Sequence, residues 1–158
     1  MSSPRISYGA FTKIAPAAHD ALLALGKAAD ESGFDLPVIE LAKLRVSQIN
    51  NCAFCLQIHL NKSRQLGIAP EKLDLVATWE EAGIFSEREC AALAWAEALA
   101  RLAGHSVSDE AYAAVREHFS EEEVMFLSVS IAAINAWNRL GAAFRFAPPI
   151  VKKVAAAA

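Results

Sequence analysis

Between Val124 and Trp137 the chain reads VMFLSVSIAAINAW, in which two serines and one asparagine are the only polar side chains. A run this apolar cannot lie open to water on every face, and it is shorter than the roughly 20 apolar residues a bilayer crossing needs. It therefore predicts a buried helix, and the preceding Ser120 with three glutamates supplies the cap and acidic first turn from which such a helix starts. In a chain of 158 residues a helix apolar on nearly every side is hard to cover, so part of it is expected to pack against another copy of the chain.

The rest of the sequence is read in the same terms. Glycines are sparse, no two lie two positions apart, and strict alternation of β-branched residues is absent, which excludes phosphate-cradling loops and extended sheet. Start and stop signals predict a helix near 16–32, opened by Pro16 and stopped by Gly33, and another near 37–50 after Asp35. A third is expected over about 52–66, ended by Gly67, with Asn50-Asn51 as the break before it. Ser86 with Glu89 reads as a capping box for a fourth, and the segments from Ser108 and Ser120 give two more. The expectation is one all-α domain over 1–158, a bundle of about six helices.

A net charge of −3 without a long basic run argues against nucleic acid or an anionic membrane as partner. The first twenty residues contain no basic start followed by an apolar stretch, so the protein is expected in the cytoplasm. Thiols there are kept reduced, which makes a close cysteine pair more suited to redox chemistry or metal binding than to stapling a fold.

Such a pair lies in SQINNCAFCLQIH, where Cys52 and Cys55 are followed by His59. At about 100° per residue an α-helix places all three on one narrow face. Residues three apart on a helix are about 5–6 Å from each other, inside the range for an unstrained disulfide. A cysteine at a helix N-terminus is biased toward thiolate by the partial positive charge there, and His59 is a candidate proton acceptor. A carboxylate such as Glu40 on the preceding helix is a candidate to orient that base, a role that ranks above that of an ordinary helix carboxylate paired with Lys43. A structural zinc needs four ligands, and no second CxxC or HxxxH is present, so the redox reading ranks above a metal site or an inert pair.

The spacing E-x11-C-x2-C-x3-H, made by Glu40, Cys52, Cys55 and His59, resembles that of the AhpD-like alkylhydroperoxidases of the carboxymuconolactone decarboxylase superfamily. The resemblance continues through FSERECAALAWAEAL and INAWNRLGAAF, covering about Pro37 to Phe146. It implies a helical fold assembling as a homotrimer or homohexamer, and a thiol peroxidase that needs no metal, haem or other cofactor. By position, Cys55 would attack the hydroperoxide substrate, Cys52 would resolve the product as a disulfide, and His59 with Glu40 would relay protons. A separate dithiol or a lipoylated protein would then reduce the disulfide. Some members carry a histidine between the cysteines, where this chain has Phe54, which cannot transfer protons and is expected to pack among apolar neighbours. Two other functions stay open: a cofactor-free lyase of the decarboxylase type, and a redox sensor without turnover.

The remaining candidates are given structural roles. Cys90 falls on the apolar side of its helix as a small hydrophobe. His19, His105 and His118 fall near helix ends and are placed outside the site. Trp137, Asn138 and Arg139 are read as packing and interface residues, Arg139 as a partner for a carboxylate of another subunit.

Overall fold

In the computed structural model, which describes residues 3–150, the helix Leu36–Ile49 carries most of the burial: nine of its fourteen residues are inside. Its neighbours in chain order are α1 (Tyr8–Ile14), α2 (Pro16–Asp30), α3 itself and α4 (Ala53–Gln65). Then follow α5 (Pro70–Leu75), a 3-10 turn at Val76–Thr78 and α6 (Trp79–Ala82). α7 (Glu87–Ala100), α8 (Asp109–Arg116) and α9 (Glu121–Phe144) complete the described chain. The class is all-helical, as expected.

Three stripes on α3 explain why it is central. Val38, Ile39, Ala42 and Val46 enter the main core with Leu127, Ile131 and Ile134 of α9, together with Trp95 and Phe119. Leu41 and Leu44 turn into a second core with Leu73, Val76 and Leu93. Glu40, Lys43 and Ser47, at spacings of three and four, form a third stripe that is polar and nonetheless buried. Leaving that stripe dry without partners would be costly, so it must be met by polar groups from elsewhere.

α9 runs against α2, α3, α4, α7 and α8, so the chain covers most of this apolar helix itself. Met125 remains 60% exposed on it, and Ile14 of α1 with Leu23 and Leu25 of α2 are further exposed apolar side chains. The expected capping box of Ser86 with Glu89 is present on α7, and the structure adds a second, Ser120 with Glu123, on α9.

The expected count of about six helices is too low. The six are found, but α1, α5 and α6 were not anticipated, because helices of seven, six and four residues have too little length for a periodic signal. Docking holds them instead: Phe11 of α1 is buried, and Leu73 of α5 fills the second core.

Candidate active site

α3 and α4 meet at a corner with almost no loop. Asn51 adopts a left-handed conformation (φ 52°), which asparagine tolerates better than most residues. Its N–H reaches the Gln48 carbonyl (3.1 Å) and the Cys52 N–H reaches that of Ser47 (3.0 Å), the two bonds that close a helix with a Schellman turn. Cys52 is therefore set down directly at the N-cap of α4, where its sulfur accepts from the Cys55 N–H (3.3 Å). The expected helix start at 52 moves by one residue, since Cys52 is extended rather than helical.

The corner is tied to α9 by amides. Asn138, fully buried, donates to Ser47 Oγ (3.2 Å) and accepts from Asn50 Nδ2 (3.0 Å), which also donates to Asn135 (2.9 Å). Arg139 donates to the Asn135 carbonyl of its own helix (2.9 Å). Trp137 packs edge-on against Phe11 and His19.

Cys52 and Cys55 are joined as a disulfide with Cα atoms 5.4 Å apart, and both are buried. Space for their sulfurs comes from Gly141 of α9. A Cβ there would lie 2.7 Å from Cys52 Sγ and 3.3 Å from Cys55 Sγ, so even alanine at this position would have to displace a sulfur. Phe54 packs between Tyr8 and Phe146, with ring centroids 5.2 and 5.3 Å away, in line with its expected apolar role.

Glu40 is completely buried and meets His59: its Oε2 lies 2.6 Å from His59 Nδ1. Its other oxygen faces Lys62 (3.1 Å) and Lys43 (3.3 Å). Both lysines also bind Asp30 of α2, at 2.8 Å from Lys43 and 2.7 Å from Lys62. Burial pushes the Glu40 carboxyl upward, but the His59 hydrogen bond and the positive charge of His59, Lys43 and Lys62 outweigh it and hold the pKa at about 2. Burial likewise raises Asp30, and its two lysines bring it below the usual carboxylate range. An ionised Glu40 can only accept, so His59 Nδ1 donates to it whether the ring is charged or neutral, and Nε2 is the nitrogen whose proton can come and go.

A cavity of about 740 Å³ opens onto this arrangement. Cys55, His59 and Lys62 lie on its wall with Leu22, Ile58 and Ile134; Cys52 does not line it. The structure thus brings Glu40, Cys52, Cys55 and His59 together, each on an element that the core holds rigid. Sequence reasoning weighed Lys43 as the partner of Glu40 but missed Lys62 and Asp30, which share the same charge cluster, and Gly141. Lys62 is three residues beyond His59 and so on the same side of α4, a spacing that could have found it. A glycine inside an otherwise apolar helix was the corresponding mark for Gly141.

The other candidates separate from the site. Cys90 is only partly buried, less than expected for a core hydrophobe; burial together with the nearby Glu89 charge pushes its thiol upward. His105 is exposed, and the His118 carbonyl serves as an acceptor for Arg88. His19 alone differs from expectation: it is enclosed by aromatic rings and bonded to Tyr8 (2.8 Å). Among the described residues no group of three or more His, Cys, Asp or Glu side chains is placed to hold a metal ion, and no helix is long and apolar enough to cross a membrane.

Comparison with known proteins gives a consistent set of likenesses. The model of the carboxymuconolactone decarboxylase family matches residues 16–98. The uncharacterized protein YdfG of Bacillus subtilis is 36% identical over 141 residues, spanning 89% of this chain and 94% of its own. A crystal structure of a protein of unknown function from Agrobacterium tumefaciens, provisionally described as the antioxidant defence protein AhpD, superposes with a TM-score of 0.88. It is 38% identical, covering 94% of this chain and 100% of that one. A cysteine-to-alanine variant of the debrominase Bmp8, bound to 2,3,4-tribromopyrrole, superposes with a TM-score of 0.77 at 20% identity, over 86% of this chain and 73% of that one. The last likeness shows the fold alone.

Proposed function

The chain belongs to the carboxymuconolactone decarboxylase family, and from that premise we propose that it is a thiol-dependent peroxidase acting on alkyl hydroperoxides through a Cys52–Cys55 dithiol–disulfide cycle. The observation that carries the reading is the joined cysteine pair whose Cys55 shares a mostly apolar cavity with a carboxylate-oriented histidine. A lyase has no use for a second thiol there, and the fold by itself does not decide the reaction, since a debrominase has it too.

In the reduced protein His59 Nε2 takes the Cys55 proton, and Glu40 stabilises the imidazolium formed. The thiolate also lies in the first turn of α4, where the helix N-terminus favours negative charge. It attacks the distal peroxide oxygen: an S–O bond forms, the O–O bond breaks, and the alcohol leaves after taking up a proton. Cys52 then displaces hydroxide from the sulfenic acid, which departs as water and leaves the disulfide. An external dithiol, free or on a lipoylated protein, returns both cysteines to thiols by exchange.

The test is consumption of cumene hydroperoxide by purified protein with reduced lipoamide as donor. Turnover well above that of a variant lacking both cysteines is expected, and His59→Ala should slow the first oxidation by roughly 10²-fold while keeping its helical spectrum. Oxidation of the pair without turnover under any dithiol would favour the sensor instead. We further propose assembly as a homotrimer or homohexamer, which the family resemblance and the exposed Ile14, Leu23 and Leu25 support. Light scattering that reports a folded monomer would remove that proposal.

A further inference from the structure

A second chain of hydrogen bonds reaches the same cavity from α1 and α2. Tyr8, whose residue lines the cavity, has its hydroxyl 2.8 Å from His19 Nε2, and His19 Nδ1 lies 3.1 Å from Asp20 Oδ1. The Asp20 carboxylate can only accept, so Nδ1 donates to it and Nε2 faces the Tyr8 oxygen. The His19 ring is fixed by Tyr8, Phe11 and Trp137, with centroids 5.7, 5.9 and 5.9 Å away. Its side chain is 15% exposed and that of Asp20, itself a residue of the cavity lining, is 77% exposed, so the chain of bonds meets solvent at Asp20 and ends at Tyr8. Tyr8 also stacks on Phe54, the residue between the two cysteines.

We propose that Tyr8, His19 and Asp20 form a proton wire that delivers a proton from solvent to the alkoxide leaving the hydroperoxide. The inference rests on the peroxidase reading and assigns a donor for the far side of the O–O bond: the His59 imidazolium stands one helical turn from the attacking Cys55, whereas the alkoxide departs in line, away from the sulfur. Heterolysis of an alkyl hydroperoxide expels a strongly basic alkoxide, and the neighbouring Leu22, Ile58, Ala133 and Ile134 cannot solvate it. Lys43 and Lys62 are held in ion pairs with Asp30 and Glu40. Tyr8 carries the only hydroxyl among the residues lining this cavity. Protonated His19 passes a proton from Nε2 to the Tyr8 oxygen as Tyr8 passes its own to the alkoxide. The sum is thiolate plus hydroperoxide plus one proton giving sulfenic acid plus alcohol. Burial raises the Tyr8 pKa, which keeps the hydroxyl neutral and able to donate.

The wire is separable from packing by choice of leaving group. A peracid expels a carboxylate, which needs no proton, whereas cumene hydroperoxide expels an alkoxide, which does. In single-turnover oxidation of the reduced cysteine pair, Tyr8→Phe retains the ring against Phe54 and should slow cumene hydroperoxide by roughly 10²-fold. Peracetic acid should oxidise Tyr8→Phe and wild type at matching rates, and His19→Gln should reproduce the pattern. Equal slowing with both oxidants would reduce Tyr8 to a packing role, and no slowing with either would remove it; both outcomes overturn the wire. Wild-type protein that neither oxidant converts to the disulfide would overturn the peroxidase reading, and the wire with it.

Discussion

Cys55→Ser should abolish reaction with hydroperoxide, whereas Cys52→Ser should react once and stop as a sulfenic acid on Cys55. The asymmetry follows from placement. Cys55 lines the cavity and lies one helical turn before His59, while Cys52 does not line it and has its sulfur against Gly141. Once Cys52 is gone nothing nearby can condense with the oxidised sulfur, because Cys90 lies on α7 and outside the lining of this cavity. Mass spectrometry after one equivalent of cumene hydroperoxide, with a sulfenate-specific trap, reads the outcome directly. Oxygen trapped on Cys52 in the Cys55→Ser protein would reverse the roles, as the N-cap position of Cys52 gives its thiolate the nearer share of the helix charge.

Glu40→Gln should destabilise the protein at neutral pH by about 3 kcal/mol, and the loss should shrink as the solution is acidified. Removing one partner of a buried ion pair commonly costs about 3–5 kcal/mol; Asp30 still serves both lysines here, which places this case at the low end. The pH dependence follows from linkage. Folded Glu40 stays ionised down to about pH 2, whereas in the unfolded chain the carboxyl titrates near its ordinary value of 4.5. Between those values the unfolded state binds the extra proton, so the stabilisation is complete above pH 4.5 and is lost as pH falls toward 2. Asp30, Glu89 and Glu97 are also lowered and add to acid sensitivity, so the informative quantity is the difference between variant and wild type. Urea midpoints across that range should converge; a difference that stays constant with pH would show that Glu40 acts by shape rather than charge.

The helices that could be read in the sequence are those of eight residues or more, long enough for start and stop signals to frame an apolar pattern. α3 was located to within a residue at its start, yet its role was under-read. Val38, Leu41 and Leu44, spaced three apart, mark one apolar face in the sequence, but the helix is buried on three, with Glu40 and Lys43 on the third. No local pattern announces a buried charge, because its compensation comes from Asp30, His59 and Lys62 on two other helices. The cysteines and His59 were legible for the opposite reason: their relation is helical and lies within eight residues. Tyr8 and His19 were not, since their meaning depends on the aromatic packing of two helices against α9.

The one-residue corner at Asn51 leaves the chain no slack on either side of the thiols. Opening and closing of the Cys52–Cys55 bond therefore has to be absorbed by side-chain rotation inside a fixed frame, and the pair cannot swing out to greet a partner. With both sulfurs almost fully shielded, a globular reductant would meet only their cover. The dithiol donor proposed above therefore has to meet the pair through the cavity that Cys55 lines, and not at an exposed surface.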